Sequence, residues 1–122
     1  MNVLITGGRV IDPANGVDQI QDLFIRDGKI AEYDDAARKI AVDMTLDARG
    51  LVVCPGLVDL QARLREPGEE HKATLDSELT AAVAGGITTI CCPPDTDPVI
   101  DTPAMVKMIQ QRAEEIGLTQ VL

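Results

Sequence analysis

Two positions two residues apart, Gln61 and Arg63, follow the apolar run Leu57-Val58 and precede the loop Glu66-Pro67-Gly68. Side chains alternate across an extended strand, so positions 61 and 63 would face the same way. Neither residue suits a metal ion. Glutamine offers only a weak carbonyl donor, and arginine stays protonated with no lone pair to give. The planar fork of Arg65 suits bidentate pairing with a carboxylate, and Glu66, Glu69 and Glu70 lie close by in sequence to receive it. Asp59 stands alone just before these residues, as a strand-end carboxylate that would cap neighbouring amides. His71 is the only histidine of the chain and cannot build a metal site by itself. Ser77 lies in an expected helix with no histidine partner, so no nucleophile–base pair is visible.

Composition excludes several classes of function. A hydrophobic content of 45% over 122 residues fits about one modest folded domain. The net charge of −9, with no basic cluster, argues against binding nucleic acid or an acidic membrane surface. No apolar run approaches the roughly 18 residues that span a bilayer, and no secretory signal is visible. Cys54, Cys91 and Cys92 lack metal-finger spacing and read as reduced thiols of a cytoplasmic protein.

The elements that must position these residues fall into two parts, 1–50 and 51–122. The first reads as a small antiparallel β unit. Val3–Ile5 and Arg9–Ile11 are strands with a tight turn at Gly7-Gly8, and Asp22–Arg26 and Lys29–Tyr33 flank an Asp27-Gly28 hairpin. Met44–Asp47 is a further strand. From Leu51 the period changes, and Leu51–Val53 and Leu57–Val58 read as strands buried on both faces. A helix follows over Thr74–Ala84, with Leu75, Leu79, Ala82 and Val83 as its apolar stripe and Gly85-Gly86 as its stop. Ile87–Cys92 is the next strand and Pro93–Pro98 the loop after it. A second helix opens at Thr102-Pro103, buries Met105, Met108, Ile109, Ala113 and Ile116, and ends at Gly117. Thr119–Leu122 begins a third strand. This alternation opens a parallel α/β fold.

The stretch Pro55-Gly-Leu-Val-Asp-Leu-x-x-x-Leu-Arg-Glu-Pro-Gly68 resembles the dihydroorotases, cyclic-amide hydrolases of the amidohydrolase superfamily. The resemblance implies an α/β fold: an N-terminal β-sandwich portion, then the first strands and helices of a metallo-dependent-hydrolase (β/α) barrel. Such a barrel needs ~250 residues, and roughly 70 follow the β unit here. The barrel is therefore incomplete in this chain, and a fragment of a longer protein, or completion by association, is expected. In the family, two histidines at positions 61 and 63 bind the catalytic zinc; here they are Gln61 and Arg63, so no cofactor is expected. Arg65 matches the arginine that clamps the substrate carboxylate. Pro93-Pro94-Asp95-Thr96-Asp97-Pro98 resembles the family's Met-Pro-Asn-Thr-Asn-Pro, with Asp95 in place of the substrate-binding asparagine. A carboxylate there would repel anionic dihydroorotate. Arg65 and Asp95 are thus vestigial binding positions, and the altered positions read as independent losses.

The Leu-Arg-Glu-Pro-Gly loop without its histidines, together with Cys91-Cys92-Pro93-Pro94, resembles the noncatalytic dihydroorotase-like subunits of bacterial aspartate transcarbamoylases. That subgroup implies a pseudoenzyme of pyrimidine biosynthesis, oligomeric, that supports assembly of aspartate transcarbamoylase. Two other readings stay open. One is an active cyclic-amide hydrolase of the dihydroorotase or hydantoinase type, with a non-standard or mononuclear metal site using residues beyond 122. The other is a nonfunctional fragment.

Overall fold

Strand β1 (Asn2–Asp12) organises the first part of the chain in the computed structural model, which describes residues 1–122. On one side it pairs antiparallel with β2 (Val17–Arg26), which pairs in turn with β3 (Lys29–Ala31). On the other side it pairs in parallel with β4 (Met44–Asp47) and then with β5 (Val52–Val53). The sheet is therefore mixed, not antiparallel throughout. Asp27 and Gly28 join β2 to β3 with φ of 51° and 75°, the positive values that an expected two-residue hairpin turn requires.

Gly7-Gly8 does not turn the chain. Thr6 and Gly7 together oppose Asp22 and form a β-bulge inside one long strand, with Gly7 at φ 67°. The Gly7 amide, left without a ladder partner, donates to Asp22 Oδ1 at 2.9 Å. A turn and a bulge both call for positive φ, so the local sequence does not separate them.

β5 is the second departure. Leu51–Val53 was expected to open the barrel, yet Val52 and Val53 pair with Arg9 and Val10 of β1. The chain accordingly divides into two compact units at Pro55/Gly56, five residues beyond the expected boundary of 50/51. The core of the first unit is small: Leu4, Phe24 and Ala37 are buried, with Ala31, Tyr33 and Val42 packed against them.

The second unit is a parallel sheet ordered β6 (Leu57–Asp59), β7 (Ile87–Ile90), β8 (Gln120–Val121). Helix α1 (Leu75–Ala84) starts where the sequence signals it, with Thr74 as N-cap and a reciprocal capping box to Ser77. Helix α2 (Pro103–Ile116) starts after Thr102 and ends at Gly117 in the left-handed conformation. The two helices meet the sheet through Leu64, Leu75, Leu79, Ala82, Ile90, Ile109, Ala113 and Val121.

Burial is narrower than the apolar pattern suggests. Val83 and Met108 belong to the expected stripes but are 40% and 52% exposed. Each lies beside the line of residues, Leu79–Ala82 or Ile109–Ala113, that meets a neighbouring element. Leu57 and Val58, expected to be covered on both faces, are 58% and 57% exposed. Within these 122 residues β6 pairs only with β7, which leaves its other edge open.

Candidate functional site

Parallel strands deliver their C-terminal ends to the same edge of a sheet, where α/β proteins place their chemistry. Asp59 stands opposite Ile90 in the β6–β7 ladder, and backbone bonds continue beyond it. The Cys91 amide donates to Asp59 O at 2.8 Å, and the Ala62 amide to Cys91 O at 3.2 Å. The segment after Asp59 and the segment after Ile90 therefore leave the sheet side by side.

β6 stops at Asp59, before the residues expected to alternate along it. The Asp59 carboxylate turns back and accepts the Gln61 amide at 2.9 Å, the capping role anticipated for it. Gln61 is exposed and is not among the residues lining the cavity that Arg63 borders.

Arg63 reaches across instead. Its Nε donates to Asp95 Oδ2 at 2.7 Å, joining two residues 32 positions apart. Both side chains are about half exposed, at 47% and 48%. Two of the departures from the dihydroorotase pattern, Arg63 and Asp95, thus form one ion pair. The Asp95 charge is matched by a guanidinium, which removes most of the repulsion expected of it toward an anion. Opposite charges following neighbouring parallel strands are the signal that would have found this pair.

Arg65 sits at φ 65°, unusual for a residue with a side chain. Its Nη1 donates to Glu69 Oε2 at 3.0 Å, and its carbonyl accepts the Glu69 amide at 2.8 Å. Of the three candidate glutamates, Glu69 takes it. Lys72 Nζ also donates to Glu69, and these two donors, Lys72 the stronger, lower the Glu69 carboxyl from its ordinary range. The other two glutamates hold backbone: Glu66 Oε2 accepts the first amide of α1 from Leu75 at 2.9 Å, and Glu70 Oε1 accepts from Gly68 at 2.9 Å. His71 is exposed.

Arg63, Leu64, Arg65, Glu69, Cys92 and Asp95 line a cavity of about 10 Å³, together with Pro93 and Thr96. That is room for about one water, far below the roughly 300 Å³ of a small-molecule site. Burial raises the Cys92 thiol above its usual range. The donor set does not fit a divalent cation: one amide, one guanidinium and a carboxylate already engaged by that guanidinium. No group of three or more His, Cys, Asp or Glu side chains is placed to hold a metal. No helix is long and apolar enough to cross a membrane.

Residues 50–122 match the family model described as dihydro-orotase-like. The chain is 50% identical over 121 residues to a dihydroorotase-like protein of Pseudomonas aeruginosa, covering 99% of this chain and 29% of that one. It is 47% identical over 119 residues to a dihydroorotase of Anaeromyxobacter dehalogenans, covering 98% and 28%. The chain therefore spans less than a third of the length of these curated relatives. Among solved structures, an L-hydantoinase (dihydropyrimidinase) from Arthrobacter aurescens superposes with a TM-score of 0.70 at 29% identity, covering 91% of this chain and 24% of that one. Molinate hydrolase superposes with a TM-score of 0.69 over 99% of this chain and 29% of that one, at 22% identity, a likeness of fold alone. With the Pro55–Gly68 stretch, the parallel strand–helix order and these matches in agreement, the chain belongs to the dihydro-orotase-like family.

Proposed function

We propose that this chain is part of a dihydroorotase-like protein that does not hydrolyse cyclic amides and serves as a structural partner of aspartate transcarbamoylase. The Arg63–Asp95 ion pair carries the reading. A dication held about 4 Å from a guanidinium is opposed by about 8 kcal/mol at an effective dielectric near 20. Asp95 carries the opposite charge and offsets a comparable amount at the same distance, but its carboxylate is already engaged by the guanidinium. A metal site built on these positions would therefore gain no lone pair from Arg63, would have to take the Asp95 carboxylate from the guanidinium, and would keep a glutamine as its other donor. The 50% identity to the dihydroorotase-like protein of Pseudomonas aeruginosa supports placing this chain beside proteins of that description.

A second reading rests on the relative from Anaeromyxobacter dehalogenans, described as a dihydroorotase. Under it, the protein is a hydrolase whose metal is held by residues outside this chain. The partner half of the proposal is tested by size exclusion with light scattering on the full-length protein, alone and mixed with the aspartate transcarbamoylase catalytic subunit of the same source. A stable co-eluting complex is the expected result. Two separate peaks at their individual masses would end the structural-partner reading.

A further inference from the structure

We infer that Arg63 and Asp95 form a latch that holds the loops after β6 and β7 together as one cap over the small cavity at the strand ends. The loops meet at few points. Two backbone bonds join them, from the Ala62 amide to Cys91 O at 3.2 Å and from the Asp97 amide to Pro67 O at 3.3 Å. Gly68 passes so close to Asp97 that a Cβ built there would lie 1.9 Å from the Asp97 carbonyl oxygen. Arg63–Asp95 is the one ion pair between the two loops.

Each loop is anchored at its far end. Glu66 ties the first loop to the start of α1 through the Leu75 amide. The second is closed on itself by the Ile100 amide donating to Pro94 O at 3.1 Å and by Thr96 Oγ donating to Pro98 O at 2.8 Å. Each loop keeps its own internal bonds, so the ion pair adds a side-chain tie beside the two backbone bonds, and its loss raises how often the outer parts of the loops separate. Arg63 and Asp95 also line the cavity they bridge, so parting them opens it toward Cys92. The latch would stand whether or not the whole protein turns over substrate, and either claim can fail alone.

Hydrogen exchange on the full-length protein, followed in peptides covering 91–101, tests it. A half-exposed pair of this kind has a modest coupling. Arg63→Ala and Asp95→Ala are each expected to speed exchange of these loop amides by about two- to five-fold, and the double variant no further than either single one. The charge-swapped double variant Arg63→Asp/Asp95→Arg should return exchange toward the parent rate. Single variants without effect, additive single variants, or a swapped pair as fast as the singles would each overturn the latch.

Discussion

Gly68→Ala is expected to destabilise the protein by about 2–5 kcal/mol, the sum of a backbone and a packing penalty. Gly68 lies at φ 98°, where an L side chain is strained. Its added Cβ would meet the Asp97 carbonyl oxygen at 1.9 Å and the carbonyl carbon at 2.7 Å. Both are backbone atoms, so no side chain can swing aside. Relief requires moving Asp97, whose amide makes one of the two backbone bonds between the strand-end loops. Gly16→Ala is the control. Gly16 has φ 66° but nothing within 4 Å of a built Cβ, so it should lose only the backbone part, about 1–2 kcal/mol. Urea unfolding of the full-length variants reads the difference, and equal midpoints would contradict the close approach.

The second large effect lies in the β unit. Phe24 is 1% exposed and is the largest side chain of a cluster whose other buried members are Leu4 and Ala37. Its ring stacks at a tilt on Tyr33, centroids 5.3 Å apart. Tyr33 also carries the Arg38 guanidinium 5.6 Å from its ring centre, so removing Phe24 undermines the turn that covers this face. Phe24→Ala is expected to lose about 3–5 kcal/mol, since so small a core has little material with which to fill the cavity. Ile20, on the same strand but 77% exposed, should tolerate alanine within about 0.5 kcal/mol. Hydrogen exchange in peptides of β1 and β2 would show the contrast. Similar protection in both variants would contradict this core.

Most signals acting over a few residues were read correctly, the Gly7-Gly8 turn being the exception. The caps of α1 and α2 at Thr74 and Thr102, the stop at Gly117 and the Asp27-Gly28 hairpin each depend on a residue type at a fixed offset. The parallel α/β order was legible for the same reason. What depends on distant partners was not. The run Val52-Val53 says that a strand forms, but its partner Arg9-Val10 lies more than forty residues upstream. Met108 lies on an apolar stripe whose buried width is set by how closely α1 and the sheet approach α2.

The candidate site shows both sides of this limit. That Gln61 and Arg63 are poor metal donors follows from residue chemistry alone, and the cap made by Asp59 followed from its place at a strand end. That Arg63 would leave Gln61 and turn to Asp95 was not read. It depends on β6 ending at Asp59 and on β7 lying alongside, facts of pairing rather than of spacing. Arg65 was left between a substrate and three glutamates. Glu69 takes it because Glu66 and Glu70 are already committed to backbone amides.

The central claim is that these strand ends carry a satisfied ion pair where a catalytic metal would need donors. It is tested most directly by metal analysis and a dihydroorotate hydrolysis assay on the same preparation of the full-length protein, purified without chelator and supplied with zinc. Zinc well below stoichiometric and hydrolysis no faster than in buffer are the expected results. Stoichiometric zinc, with hydrolysis that is lost on chelation and restored by the metal, would contradict the account.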